Sequence, residues 1–395
     1  MAAGILVINA GSSSVKFGLF VLPAEGGELV MRYRGLADGL HVRPQVRIRD
    51  GEGRTLLEER LPVEADQQAA LARILDWLDA NLDGVRLVAA GHRIVHGGRS
   101  YAEPAPLTEP VLRDLERLCP LAPLHQPHNL KAVRAVLALR PELPQVGCFD
   151  TAFHRRQPRE AQLYALPREY ADKGVLRYGF HGLSYEYIAS RLAELDSDAA
   201  RGRVIVAHLG SGASMCALRD GQSVATTMGF STLEGLPMGQ RCGSLDPGVV
   251  LYMLEQEGRS PQEVAELLYT RSGLRGLSGI SGDMRLLLES DSPEAEEAVA
   301  VYCYRVVREI GSLAAALEGL DALVFTAGIG ENSAVIRARI CERLGWLGLR
   351  LDPQANAAGG PRVSAADSAV RVWCIPTNEE LTIARATARV IGLIG

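Results

Sequence analysis

The chain has 395 residues, of which 47% are hydrophobic and 23% charged, with a formal net charge of -5. That length exceeds what one hydrophobic core usually supports, so two domains with a cleft between them are expected, and the composition leaves no long disordered tract. A mildly acidic balance without any Lys/Arg run argues against nucleic acid as the main partner.

Seven scattered cysteines form no CxxC pair, which suits a reducing compartment and makes structural zinc and disulfides poor candidates. The first apolar stretch, GILVINAG, lacks the basic lead of a signal peptide, and no run approaches the ~20 apolar residues of a membrane span. A cytoplasmic protein with no membrane partner is the expectation.

In chain order, residues 4–9 and 15–21 read as two strands joined by a Gly/Ser turn, and 44–49 with DGEG as another hairpin. Leu71, Ile74, Leu75, Leu78 and Leu82 share one helical face, and a strand over Leu87 to Ala90 follows. Helices led by Thr108 and Pro127 precede a buried strand, QVGCFD, that ends at Asp150. The domain boundary is placed there: residues 1–149 plus a C-terminal helix of about 380–395 form one domain, and 150–379 the other. The second domain restarts the pattern with the strand RVIVAHLG, the turn SGAS and the hairpin MCALRDGQSVATT. Two such units roughly two hundred residues apart suggest a duplicated architecture. Ser292-Pro293 opens a long helix that buries Val299, Cys303, Val306, Ile310, Leu313 and Leu317. FTAGIGENS leaves a strand over Ala322 to Thr326 and enters a helix over Ala334 to Leu344; the last helix follows Asn378.

Three Gly-rich turns carry candidate chemistry. In INAGSSSVK, Gly11 permits a tight turn, Ser12, Ser13 and Ser14 present hydroxyls, Lys16 adds a charge, and Asn9 offers an oxygen to hydrated Mg²⁺. A plain hairpin with a polar loop explains that segment equally well. HLGSGAS repeats the device with His208, Gly210 and Gly212, while in AGIGENS Gly328 and Gly330 would let backbone pass beneath a base. None fits GxxxxGK[ST], and GIGENS lacks the third glycine of GxGxxG. A nucleotide, if one binds, is then expected to be held by a split, actin-like fold. Arg93 in GHRIVHGG and Arg241 in MGQRCGSLDP are planar forks suited to phosphate or carboxylate, although each alone also reads as a surface ion-pair residue. Asp150 is fit to orient an arginine, hold metal through water, accept a proton, or merely cap a strand end. His181 in RYGFHGLS is either a donor to phosphate or a buried histidine held by backbone.

INAGSSSVK, GHRIVHGG, PLHQPHN, FDTAFH, RYGFHG, HLGSG, MGFSTLEGLPMGQRCGSLDP, SGISGDMR, FTAGIGENS and IPTNEEL follow one another through nearly the whole chain. In that order the set resembles the acetokinase family of short-chain acyl kinases. The resemblance implies a duplicated actin-like, sugar-kinase-like (ribonuclease H-like) α/β ATPase fold. It implies Mg²⁺-dependent, with Mn²⁺ as the alternative, reversible in-line transfer of the ATP γ-phosphate to acetate, giving acetyl phosphate and ADP, in a homodimer. By the same resemblance Asn9 and Glu379 match metal positions. Ser12, Ser14 and Lys16, with His208, Leu209, Gly210, Ser211 and Gly212, match the ATP phosphate site. Asp283, Met284 and Arg285, with Gly328, Ile329, Gly330, Glu331 and Asn332, match the adenosine segment. Arg93 matches the carboxylate-binding arginine, Asp150 the essential acid, and His181 and Arg241 the groups that stabilise the transition state. Val95, Leu124 and Phe180 match an apolar acyl pocket, and Thr232 stands where some members have a pocket proline.

Acetate is already ionised at neutral pH, so Asp150 is expected to act chiefly by holding Arg93, Arg241 or a metal-bound water. The chain departs from the family pattern at Leu183 and Tyr185, in place of Thr and His, at Ser211 in place of Asn, and at Gln240 in place of Thr. Thr232 leaves propionate or butyrate as rival substrates. A rival of another class, a non-catalytic nucleotide-gated binding protein, would need the nucleotide loops but not Arg93, Asp150, His181 and Arg241 together.

Overall fold

Strand β1 (Ala2–Ala10) buries Ile5, Leu6, Val7 and Ile8 on both faces, as a strand in the middle of a covered sheet must. The computed structural model that shows this describes residues 1–40 and 42–395. The chain divides into two units: unit 1 comprises Met1–Phe153 and Asn378–Gly395, and unit 2 comprises His154–Thr377.

In unit 1, β1 is joined by β2 (Val15–Leu22), β3 (Val30–Asp38), β4 (Gln45–Asp50), β5 (Thr55–Arg60), β6 (Val85–Ile94), β7 (Ala105–Pro106) and β8 (Gln145–Phe149). Their order in the sheet is β5-β4-β3-β2-β1-β6-β8-β7. Period-2 alternation in β2 and β4 sends Val15, Phe17, Val46 and Ile48 to one face. There they meet the helix Gln67–Asn81, whose Leu71, Ile74, Leu75 and Leu78 are fully buried. Asp66 caps that helix by accepting from the backbone N–H of Gln68 and Ala69. The C-terminal helix Glu379–Val390 packs closely on β6: a Cβ at Gly91 would lie 2.3 Å from Thr387 Oγ1. Only glycine fits there.

Unit 2 holds β9 (Arg203–Leu209), β10 (Ala213–Arg219), β11 (Gln222–Thr226), β12 (Ala322–Thr326) and β13 (Arg371–Cys374), in the order β11-β10-β9-β12-β13. β9 pairs antiparallel with β10 and parallel with β12, as β1 does with β2 and β6. The core of the first sheet, β3-β2-β1-β6-β8, therefore repeats in the second strand for strand. The long helix is Pro293–Leu317, opened by Ser292, and buries the apolar stripe expected of it. One element differs from expectation: GIGEN is not an open loop but a short helix, Ala327–Asn332, followed by Ala334–Cys341 and a 3₁₀ segment, Glu342–Leu347. Two glycines in six residues hide such a helix from propensity reasoning.

Candidate active site

The C-terminal ends of β1, β6 and β8 in unit 1 bring together Asn9, Arg93 and Asp150. Strand β8 leads directly into Asp150, which is 1% exposed. Arg93 Nε donates to Asp150 Oδ1 at 3.2 Å, its Nη2 donates to Oδ2, and its Nη1 donates to Asn9 Oδ1 at 3.4 Å. Three of the five guanidinium N–H groups are thereby used. One N–H on each terminal nitrogen is left over, and a guanidinium can pair a carboxylate through two such N–H groups. Burial pushes the Asp150 carboxyl up to about 6, with Arg93 opposing the rise and Glu379 adding to it. Burial also works against the Arg93 charge, but Asp150 and then Glu379 outweigh it and raise its pKa. Glu379 is the first residue of the C-terminal helix, where Asn378 caps by accepting from Leu381 N at 3.0 Å.

Two residues absent from the sequence expectation hold this group in place. Asn129 accepts from Val95 N at 3.0 Å and donates to the Ala10 carbonyl at 2.7 Å, tying the exits of β6 and β1 together. Gln126 pins His96 through both its N–H and its carbonyl. Both sit on the buried face of the helix Gln126–Leu139, three residues apart in PLHQPHN. That spacing was the available signal.

The turn after β1 closes through Gly11 N donating to Ser14 O at 2.8 Å, leaving Ser12 and Ser13 exposed. Lys16 points outward from β2 toward Glu380, whose pKa burial raises while Lys16 opposes. Val95 is buried, whereas Leu124 is half exposed.

In unit 2, His181 opens the helix Gly182–Leu195 with a left-handed backbone, φ 57° and ψ 22°. Such a conformation is uncommon outside glycine and collects at functional sites. Its Nδ1 lies 2.8 Å from Ser214 Oγ, and its ring stacks on that of His208 with centroids 4.2 Å apart. His208 Nδ1 is in turn held 2.9 Å from Ser184 Oγ. Arg241 Nη1 donates to the Thr232 carbonyl at 2.8 Å. A Cβ at Gly212 would lie 2.9 Å from Arg241 Nη2 and 3.5 Å from His181 Nε2, so this glycine lets both side chains approach the turn after β9. Phe180 is buried, with its carbonyl accepting from His154 Nε2 at 2.9 Å.

A cavity of about 850 Å³ in the same unit is lined by Gly210, Ser211, Gly239, Gln240, Ser281 to Arg285, Leu288, Glu289, Gly328, Ile329, Asn332 and Ser333. Most of the predicted adenosine segment is thus collected in one place. Leu209 and Gly330 face inward instead: Leu209 is core, and Gly330 lies against Phe325 and Ala207. Glu331 braces the backbone, its Oε1 accepting from Ala327 N at 2.7 Å and Thr377 N at 3.0 Å. Arg337, fully buried, fastens the same short helix by donating to the carbonyls of Gly330 and Glu331 at 2.8 Å and to Asn356. Arg337, Leu288, Glu289 and Ser333 escaped sequence reasoning, and Gln240 was noted only as a departure from the family pattern; Glu289 falls one helical turn beyond Arg285.

Among the described residues no cluster of three or more His, Cys, Asp or Glu could hold a metal ion. Asn9 and Glu379 nonetheless fit hydrated Mg²⁺, which takes few protein oxygens and fills its shell with water and phosphate. No helix of the described residues is long and apolar enough to cross a membrane.

Comparison with known proteins agrees with this chemistry. The acetate kinase of Rhodopseudomonas palustris is 52% identical over 388 residues, covering 98% of each chain. The crystal structure of a propionate kinase from Francisella tularensis superposes with a TM-score of 0.91 at 35% identity, covering 98% of this chain and all of that one. The Porphyromonas gingivalis acetate kinase gives 0.89 at 34%, with the same coverage. The two repeated α/β sheets are those of the actin-like kinase fold. With the Acetokinase family model matching residues 4–385, the chain belongs to the acetokinase family.

Proposed function

We propose that the chain catalyses reversible transfer of the ATP γ-phosphate to acetate. The observation that carries this reading is Arg93, whose guanidinium is held by Asp150 and Asn9 with one N–H on each terminal nitrogen left over for a carboxylate partner. A nucleotide-binding protein without an acyl acceptor has no need of such a fork. Arg93 binds the acetate carboxylate and offsets its repulsion by the γ-phosphate, so the already ionised nucleophile requires no general base. Asp150 acts as the anchor of Arg93. His181 and Arg241 donate to the phosphoryl oxygens as charge spreads over them, and the cavity of unit 2 takes the adenosine. Mg²⁺, held through Asn9, Glu379 and the phosphates, would neutralise phosphate charge. Ser12, Ser14 and Lys16 add phosphate contacts in this reading.

Trapping acetyl phosphate with hydroxylamine from Mg²⁺-ATP and acetate tests the assignment. Absence of trapped product with acetate and with propionate alike overturns it. Thr232 favours a second reading, propionate as the preferred acid, and an acetate, propionate and butyrate rate panel separates the two. A homodimer also fits the reading. The helix Pro247–Glu255 has no buried residue, and Leu251 and Tyr252 on it are more than half exposed, leaving an apolar surface for a second copy to cover. Sedimentation as a monomer at micromolar concentration would refute that assembly.

A further inference from the structure

Tyr185 stands where the resemblance leads one to expect histidine, in the first turn of the helix that His181 opens. It is fully buried, and its hydroxyl lies 2.5 Å from Ser214 Oγ. Ser214, also fully buried, lies on β10 immediately after the Gly212 turn. The same Oγ is 2.8 Å from His181 Nδ1. A continuous chain therefore runs from the phenol through the serine to the imidazole.

We propose that Tyr185 is a positioning residue that acts through Ser214 to hold neutral His181 with its proton on Nε2, the nitrogen turned toward the Gly212 turn. This inference rests on the kinase reading above, which assigns His181 to the phosphoryl group.

The order of protons follows from the acidities and counts of the groups. A phenol, with an ordinary pKa near ~10, is far more acidic than an aliphatic alcohol and is the better donor, so Tyr185 gives its hydrogen to Ser214. A serine hydroxyl has one hydrogen, and with Tyr185 donating to its oxygen that hydrogen is free to go to His181 Nδ1. With Ser214 donating to it, Nδ1 is the bare, accepting nitrogen, and the ring proton sits on Nε2. Nε2 and Arg241 Nη2 are the two groups that a Cβ at Gly212 would approach, at 3.5 and 2.9 Å, so both N–H donors flank the same turn. The reverse order, with Ser214 donating to Tyr185, would leave Nε2 without a hydrogen and present a lone pair to an anion. A histidine at 185 imposes no such order, because it carries its proton on either nitrogen.

The stacked His208 ring and the left-handed backbone of His181 fix where the ring lies. Neither fixes which nitrogen carries the proton. Tyr185 supplies that second instruction.

The test uses the full-length protein labelled with ¹⁵N-histidine, with the His181 signals assigned by their loss in His181→Gln. Wild type is expected to show the Nε2–H tautomer, and Tyr185→Phe, which keeps the ring and removes only the donor, a mixed population. In parallel, kcat for acetyl phosphate formation should fall about 3- to 10-fold, the scale of one neutral hydrogen bond, with KM for ATP and acetate unchanged. Ser214→Ala removes the relay from the other side and should mix the tautomers in the same way, which keeps the test decisive should Tyr185→Phe fold poorly. An Nδ1–H tautomer in wild type, or an unchanged Nε2–H tautomer in a folded variant, overturns the inference. The spectra read the tautomer whether or not acetyl phosphate forms, so failure of the kinase reading would show separately in the trapping assay.

Discussion

The two units repeat one strand order but equip it differently. Unit 1 places charges at its strand ends, with Arg93 and buried Asp150 in a two-point pair and Glu379 acting on both. Unit 2 places stacked imidazoles, hydroxyls and glycine turns there, with Arg241 held by a carbonyl. In the proposed reading, one scaffold serves an anionic acceptor that needs a cation fixed in space, and elsewhere a polyphosphate that needs many aligned N–H donors. Charge in the first unit and geometry in the second should respond differently to substitution.

The largest effect is expected in unit 1. Arg93→Ala should lower kcat/KM for acetate by roughly 10³-fold or more, comparable to removing a principal transition-state donor. Asp150→Ala should follow it closely. If Asp150→Asn restores full activity, charge at that position is irrelevant and the contrast between the units fails. The Asp150 carboxyl lies near about 6 because of burial, so protonation below that pH loosens its hold on Arg93. Wild-type kcat/KM for acetate should therefore fall on the acid side with an inflection close to that value, and Asp150→Asn should lack that limb.

In unit 2, Arg241→Ala should cost about 10²-fold in kcat with little change in the KM for ATP. A change confined to that KM would make Arg241 a binding residue instead. Arg337→Met strips partners from buried carbonyls at Gly330, Glu331 and Asn356, and should destabilise the protein by about 1–3 kcal/mol in denaturant melts. It should also raise the KM for ATP while leaving that for acetate alone; equal rises in both would erase the division of labour. Smallest of all, Leu124→Ala, at a half-exposed position, should change stability by less than about 0.5 kcal/mol and register only in the acyl-chain panel.

The strands and their turns were legible because alternation in residues 15–21 and 44–49 and the glycines at 11, 210 and 212 are local signals. Arg93 and Asp150 were legible as types at strand ends, and their pairing was among the roles weighed for Asp150. What escaped was built by tertiary contact between distant residues. Tyr185 meets Ser214 across 29 residues, and Arg337 reaches Asn356 across 19. Asn129 bonds the Ala10 carbonyl from 119 residues away. Glu331 is likewise indistinguishable by sequence from a ligand-facing acid; only its bonds to Ala327 and Thr377 reveal a brace.

Unit 1 is interrupted in sequence by the whole of unit 2, and Glu379 arrives only with its returning helix. The same helix lays Ile383 and Thr387 against Gly91 of β6, so the cover of that strand is the part of unit 1 most distant in sequence from the rest of it. A cut between Thr377 and Asn378 would therefore leave unit 2 whole while taking from the Arg93 and Asp150 pair the carboxylate that acts on both.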